Sequence, residues 1–138
     1  MPVYEYAANM HMHTPYSDGE WYHARIAEAA IGAGLDLICV TDHNVWVKGP
    51  ERYYEQDGRR VLLLVGEEVH DQTRDPQKNH LLVYGADKEL APLAPRPQKL
   101  LEAAARAGSA RAPATARWCR SICSNRKAWC STPKSGWT

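Results

Sequence analysis

The sequence predicts an α/β fold built on parallel strands, and three observations carry that prediction. Short apolar runs alternate with stretches of helical spacing. Proline and glycine mark the helix ends. Ionisable residues collect just beyond the apolar runs instead of being scattered through the chain.

Val3 to His13 reads as the first strand, since Val3, Tyr4, Tyr6, Ala7, Ala8, Met10 and Met12 make it largely apolar. In "SDGE", Ser17 and Glu20 have the spacing of a capping box. A helix is predicted from Trp21 to Ala33, with Ala27, Ala30 and Ile31 at helical spacing and Gly34 as its C-cap. "LDLICVT", Leu35 to Thr41, suits a buried parallel strand. "ERYYEQDGRR" is expected to form one or two helical turns ending at Asp57-Gly58. "VLLLVGEEV", Val61 to Val69, is the third strand, and "HLLVYGA" gives a fourth from His80 to Gly85. "PQKLLEAAARAG" predicts a helix with Pro97 in its first position and Gly108 at its C-cap.

The 138 residues predict a single domain able to bury a sizeable core. A net charge of +1 makes no electrostatic case for nucleic acid or an anionic membrane. No apolar run reaches the roughly 18 residues a membrane helix requires. The start, MPVYEYAAN, lacks the pattern of a signal peptide, so the expected compartment is the cytoplasm. Cys39, inside an apolar run, reads as a small buried hydrophobe. Composition breaks near Gly108. All six histidines lie within the first 80 residues, and the last acidic residue is Glu102. From Ser109 the chain has six Arg or Lys, three of the four cysteines, and no apolar period that would build an element. Residues 1–108 are therefore expected to form the folded part and 109–138 an irregular basic tail. Cys119, Cys123 and Cys130 are too irregularly spaced to read as a zinc site.

His11 and His13 lie two residues apart at the end of the first strand, a spacing that aims both at one face. Asp18 follows the same strand; the second strand finishes at Asp42 and His43, the third at Glu67, Glu68 and His70, and His80 opens the fourth. In parallel α/β architectures, strand carboxyl ends gather around one site. A mixture of imidazole and carboxylate without thiolate suits Zn, Mn or Fe in a catalytic centre. His23, on the first helix, reads as a surface residue.

The ordered set "HMHTPYSDG", "TDHN", "GEEV" and "NHLLVYG" resembles the motifs of the PHP (polymerase and histidinol phosphatase) family, over Asn9 to about Gly108. The resemblance implies a distorted TIM-like barrel of seven strand–helix units, two or three bound divalent ions, and hydrolysis of phosphoesters. By position, His11 and His13 match ligands of the first metal, Asp18 and His43 ligands of the third, Glu68 the bridging carboxylate, and His80 a ligand of the second. His43 and Asp18 are also the expected catalytic pair. The implied substrate is a small phosphorylated molecule, with nucleotides in view. Asp42 is read either as hydrogen-bonding a ligand histidine or as a plain turn aspartate. Glu67, at the family's variable position, is expected beside a ligand or in solvent, and His70 at the entrance. Lys48 and Arg52, just beyond the TDHN loop, are read either as meeting a substrate phosphate or as basic loop residues that only solvate.

The family also draws ligands from later strands, and no histidine or carboxylate follows Glu102. The expectation is a truncated or frameshifted product containing the N-terminal part of the barrel, with an exposed strand edge through which copies could associate. The rival reading is a non-catalytic metal-binding fragment that needs a partner to complete it. An amidohydrolase-like barrel would place a metal-bridging lysine where "GEEV" has glutamate.

Overall fold

The run RRVLLLVGEEV becomes the central strand, and the other elements are arranged on it. In this computed structural model residues 3–76 and 80–108 are described, together with the backbone of a strand at 110–113. Along the chain come β1 (Ala8–Met12), α1 (His23–Gly32), β2 (Leu37–His43), β3 (Arg52–Gln56), β4 (Arg59–Val69), β5 (Leu81–Tyr84), a 3₁₀ turn at Ala91–Leu93, α2 (Pro97–Arg106) and β6 (Ala110–Pro113). Among the described residues the sheet has six strands, with β1-β2-β4-β5-β6 in order and β3 also pairing with β4. β1, β2 and β4 are parallel, whereas β3, β5 and β6 run antiparallel to their neighbours. Among the described residues no helix is long and apolar enough to cross a membrane.

Period-two alternation gives the sheet two unlike faces. Val61, Leu63 and Val65 of β4 join Ile38 and Val40 of β2, Met12, and Ile26, Ala27, Ala30 and Ile31 of α1 in one buried cluster. Val69, Val83, Leu90, Leu100 and Ala104 form a second cluster beneath α2. Each fully buried Val, Leu or Ile contributes about 1.5–3 kcal/mol, so the helix-covered face holds the sheet together. The other face carries Cys39, Thr41 and His43 from β2, and Leu62, Leu64, Gly66 and Glu68 from β4.

Several expectations need correction. The first strand occupies only Ala8–Met12, and Val3, Tyr4 and Tyr6 are exposed outside the ladder. Ser17 does not cap α1: the helix starts at His23 behind Tyr22, and the Ser17 hydroxyl donates to Asp42 instead. The expected helical turns at 51–58 are a β-hairpin. Asp57 (φ 52°) and Gly58 (φ 74°) both take the left-handed conformation that a tight hairpin turn demands, and aromatic Tyr53 and Tyr54 suit a strand. The sheet is mixed and open among the described residues, because no crossover helix separates β4 from β5 and the chain reverses. Ala110–Pro113, within the stretch expected to be irregular, pairs with β5; the remainder of that stretch, 109 and 114–138, lies outside the described residues. The last helix begins at Pro97 as expected, with Gly108 just beyond it at φ 68°.

Candidate metal centre

Because β1, β2 and β4 are parallel, their carboxyl ends meet at one rim, where the first histidine is set by an irregularity. The pairing of β1 with β2 moves from Asn9↔Ile38 to Met12↔Val40, three steps on one strand against two on the other. Such a bulge leaves the ladder locally unpaired and re-aims a side chain. Here the Asn9 side-chain oxygen accepts from the His11 amide at 3.2 Å, and the His11 Nδ1 meets the Thr41 hydroxyl at 2.7 Å. His11 Nε2 therefore faces inward.

Glu68 forms the floor of the cluster, with its side chain 4 % exposed. Its Oε2 lies 3.4 Å from His11 Nε2, 3.2 Å from His13 Nε2 and 3.3 Å from His43 Nδ1. Its Oε1 accepts a hydrogen bond from His80 Nδ1 at 2.6 Å. On the solvent side, Asp18 Oδ1 is 3.2 Å from His13 Nδ1 and Asp18 Oδ2 is 3.6 Å from His43 Nε2. Among the described residues three triads can each surround one point: His11–His13–Glu68, His13–Asp18–His43 and His43–Glu68–His80.

The first triad has the size that a small cation requires. Its donors are separated by 3.2, 3.4 and 3.5 Å. Bonds of 2.0–2.2 Å to a tetrahedral ion put ligand atoms about 3.4 Å apart. Glu68 Oε2 and His43 Nδ1 are buried and have no hydrogen-bond partner among the described residues. Buried polar atoms are rarely left unpaired, and both atoms point into the cluster, so the donor set fits divalent ions. A neutral imidazole has one free lone pair. His13 and His43 can thus each serve one ion at a time, and the two triads sharing Glu68 use His11, His13, His43 and His80 once each.

Electrostatics prepares the donors. Burial would raise the Glu68 carboxyl, but close His13, the charges of His11 and His43, and the His80 hydrogen bond hold it at about 2. His11 and His43 are pushed down by burial, with repulsion from neighbouring imidazoles adding to it. The direction of both shifts, kept downward although Glu68 opposes it, favours the neutral imidazole that can ligate. For His13 burial also acts downward, but Glu68 and Asp18 outweigh it and raise its pKa.

The six expected ligands thus lie together, while the surrounding residues are placed differently from expectation. Asp42 touches no ligand histidine. Its carboxylate is buried and accepts from the Thr14 amide, the Thr14 hydroxyl and the Ser17 hydroxyl, each at 2.7 Å, which clamps the loop between His13 and Asp18. Glu67 is neither beside a ligand nor in solvent. It points to the helix-covered face, where it accepts from the Leu90 amide at 2.8 Å and the Ala91 amide at 3.0 Å. Burial pushes it up to about 6 despite those bonds. His70 is buried within the cluster, stacked on His80 at 4.5 Å and edge-on to His43 at 5.0 Å. His23 is buried rather than at the surface, with its Nε2 unpartnered among the described residues.

Arg52 pairs with Leu63 at the far end of β4, five residues from Glu68 and so about 17 Å away along the strand. Its guanidinium lies over the Tyr54 ring at 4.5 Å and not at the centre. Lys48 is exposed in the connection from β2 to β3. Sequence reasoning missed Thr41, whose alternation with buried Val40 placed it on the same face as His43.

A family model described as the PHP domain matches residues 9–108. No curated protein matches the chain at a significant level.

Proposed function

The chain belongs to the PHP domain family, and we propose that it hydrolyses phosphoesters with divalent ions held where β1, β2 and β4 end. The observation that carries this reading is the triangle of His11, His13 and Glu68 donors, spaced like one face of a coordination tetrahedron. Three protein donors per ion leave positions for water and substrate, as catalytic sites require. When bound there, divalent ions would supply Lewis acidity that lowers the pKa of water and draws charge from phosphoryl oxygens.

The chain's own groups do the rest. Glu68 contributes a carboxylate that stays ionised and offers one oxygen toward the His11–His13 side and the other toward His80. Thr41 fixes the ring of His11, so that ligand is in place before substrate arrives. The Asp42 clamp sets the loop that carries Asp18. Asp18 Oδ2 and His43 Nε2 face each other at the open side of the cluster, where they can hold a proton for a departing alkoxide. The substrate class is a small phosphomonoester or short phosphodiester, nucleotides included. The metals in view are Mn, Zn and Fe.

Purified chain supplied with Mn²⁺ or Zn²⁺ is expected to hydrolyse p-nitrophenyl phosphate or a nucleotide, and to lose that activity with a chelator or in His11→Ala. Uptake of ions without turnover of any phosphoester would instead identify a non-catalytic metal-binding unit.

A further inference from the structure

The bulge that aims His11 has a partner on a strand three places across the sheet. Tyr84, the last residue of β5, donates its phenolic hydrogen to the Met10 carbonyl at 2.8 Å, joining residues 74 positions apart. β2 and β4 lie between those strands. At roughly 4.8 Å per strand a flat sheet would separate them by about 14 Å, beyond the reach of a tyrosine. The bond exists because the sheet curls toward its uncovered face.

Gly66 makes room for it. Gly66 pairs with Tyr84 in register. A Cβ at Gly66 would lie 3.2 Å from Tyr84 Cδ1, 2.9 Å from Thr41 Cγ2 and 2.6 Å from the Val83 carbonyl oxygen. The tyrosine ring therefore lies across β4 where a side chain is missing, beside the threonine whose hydroxyl holds the His11 ring. The Met10 carbonyl belongs to the peptide that leads into His11, within the stretch that the register shift removes from regular pairing.

We propose that Tyr84 is a positioning residue for the metal centre: its hydroxyl fixes the Met10–His11 bulge, and so sets where the His11 imidazole meets Glu68. This rests on the metal-dependent reading above. Ring and backbone of His11 are then held separately, the ring by Thr41 and the peptide by Tyr84 and Asn9. Removing one outer partner of a metal ligand ordinarily costs about 10–100-fold in affinity or activity.

The test is Tyr84→Phe, which deletes one oxygen and keeps the ring, with Val83→Ala as a control that thins the core on the other face of the same strand. Three quantities are read: affinity for Mn²⁺ and Zn²⁺, the urea midpoint of metal-free protein, and the ¹⁵N resonances of the histidine rings without metal. Tyr84→Phe is expected to weaken metal binding by about tenfold and to move the His11 ring resonances while those of His23 stay in place. Val83→Ala is expected to lower the urea midpoint and leave affinity and the His11 resonances unchanged. Unmoved His11 resonances in Tyr84→Phe would overturn the proposal, as would equal affinity losses in the two variants at matched stability. If wild-type protein takes up no ion, the metal reading fails, and the His11 resonances still decide whether Tyr84 positions that ring.

Discussion

Glu67 and Glu68 are neighbours on one strand and are nearly equally buried, at 1 % and 3 % exposure, yet their surroundings move them in opposite directions. Glu67 faces the helix-covered side, where two backbone amides oppose the burial that pushes it up to about 6. Glu68 faces the uncovered side, where histidines surround it and hold it at about 2. Desolvation is the largest influence on both, so burial does not separate them. What separates them is whether the neighbours are dipoles or potential cations. One face of the sheet is built for stability and the other for holding charge.

The largest effect should come from removing that charge. Glu68→Gln is expected to lower the affinity for Mn²⁺ by more than about a hundredfold, beyond what outer partners of a ligand contribute, because both triads that share Glu68 lose their anion. Isothermal titration measures it, and near-normal binding would show that Glu68 is not the shared ligand. On the other face, Glu67→Ala should leave metal affinity intact but cost about 2–4 kcal/mol of stability, since the Leu90 and Ala91 amides lose their acceptor. Urea unfolding reads this loss, and a fall in metal affinity at unchanged stability would erase the contrast between the faces.

A further contrast lies in the pH dependence of metal-free protein, where the two signs oppose. Glu68 has its folded pKa below the unfolded value of 4.5. Its contribution, about 3 kcal/mol, is present above pH 4.5 and is lost as pH falls toward 2. Glu67 has its folded pKa raised from 4.5 to about 6. The folded state binds its proton more tightly, so about 2 kcal/mol is present below pH 4.5 and is lost as pH rises to 6. Stability curves of Glu67→Gln and Glu68→Gln should each lack one limb relative to wild type, and identical curves would refute the assignment.

The gathering of donors was legible because ligand types recur at the ends of apolar runs, as in "TDHN" and "GEEVH". Alternation also contained more than was taken from it. With Glu68 turned toward the histidines, Glu67 must face the helices. The hairpin had its signal in Asp57-Gly58, which was read as a helix end. Other features had no local signal. The register shift at Met10–His11 depends on pairing with β2, and the Tyr84 contact depends on curvature that no single segment encodes. His23, a polar residue on a helix, reads as surface, whereas packing encloses it. The antiparallel entry of β5 goes with a connection from β4 that forms no helix among the described residues, which apolarity alone does not reveal.

Gly66 joins these threads. A methyl group there would strike a carbonyl of the neighbouring β5 and the threonine that steadies His11. Alanine, usually the mildest of replacements, would force β5 outward and loosen an imidazole on the opposite strand in one move. The hollow left by a hydrogen atom thus acts as a hinge seat, letting the sheet close far enough over itself for distant strands to share one rim.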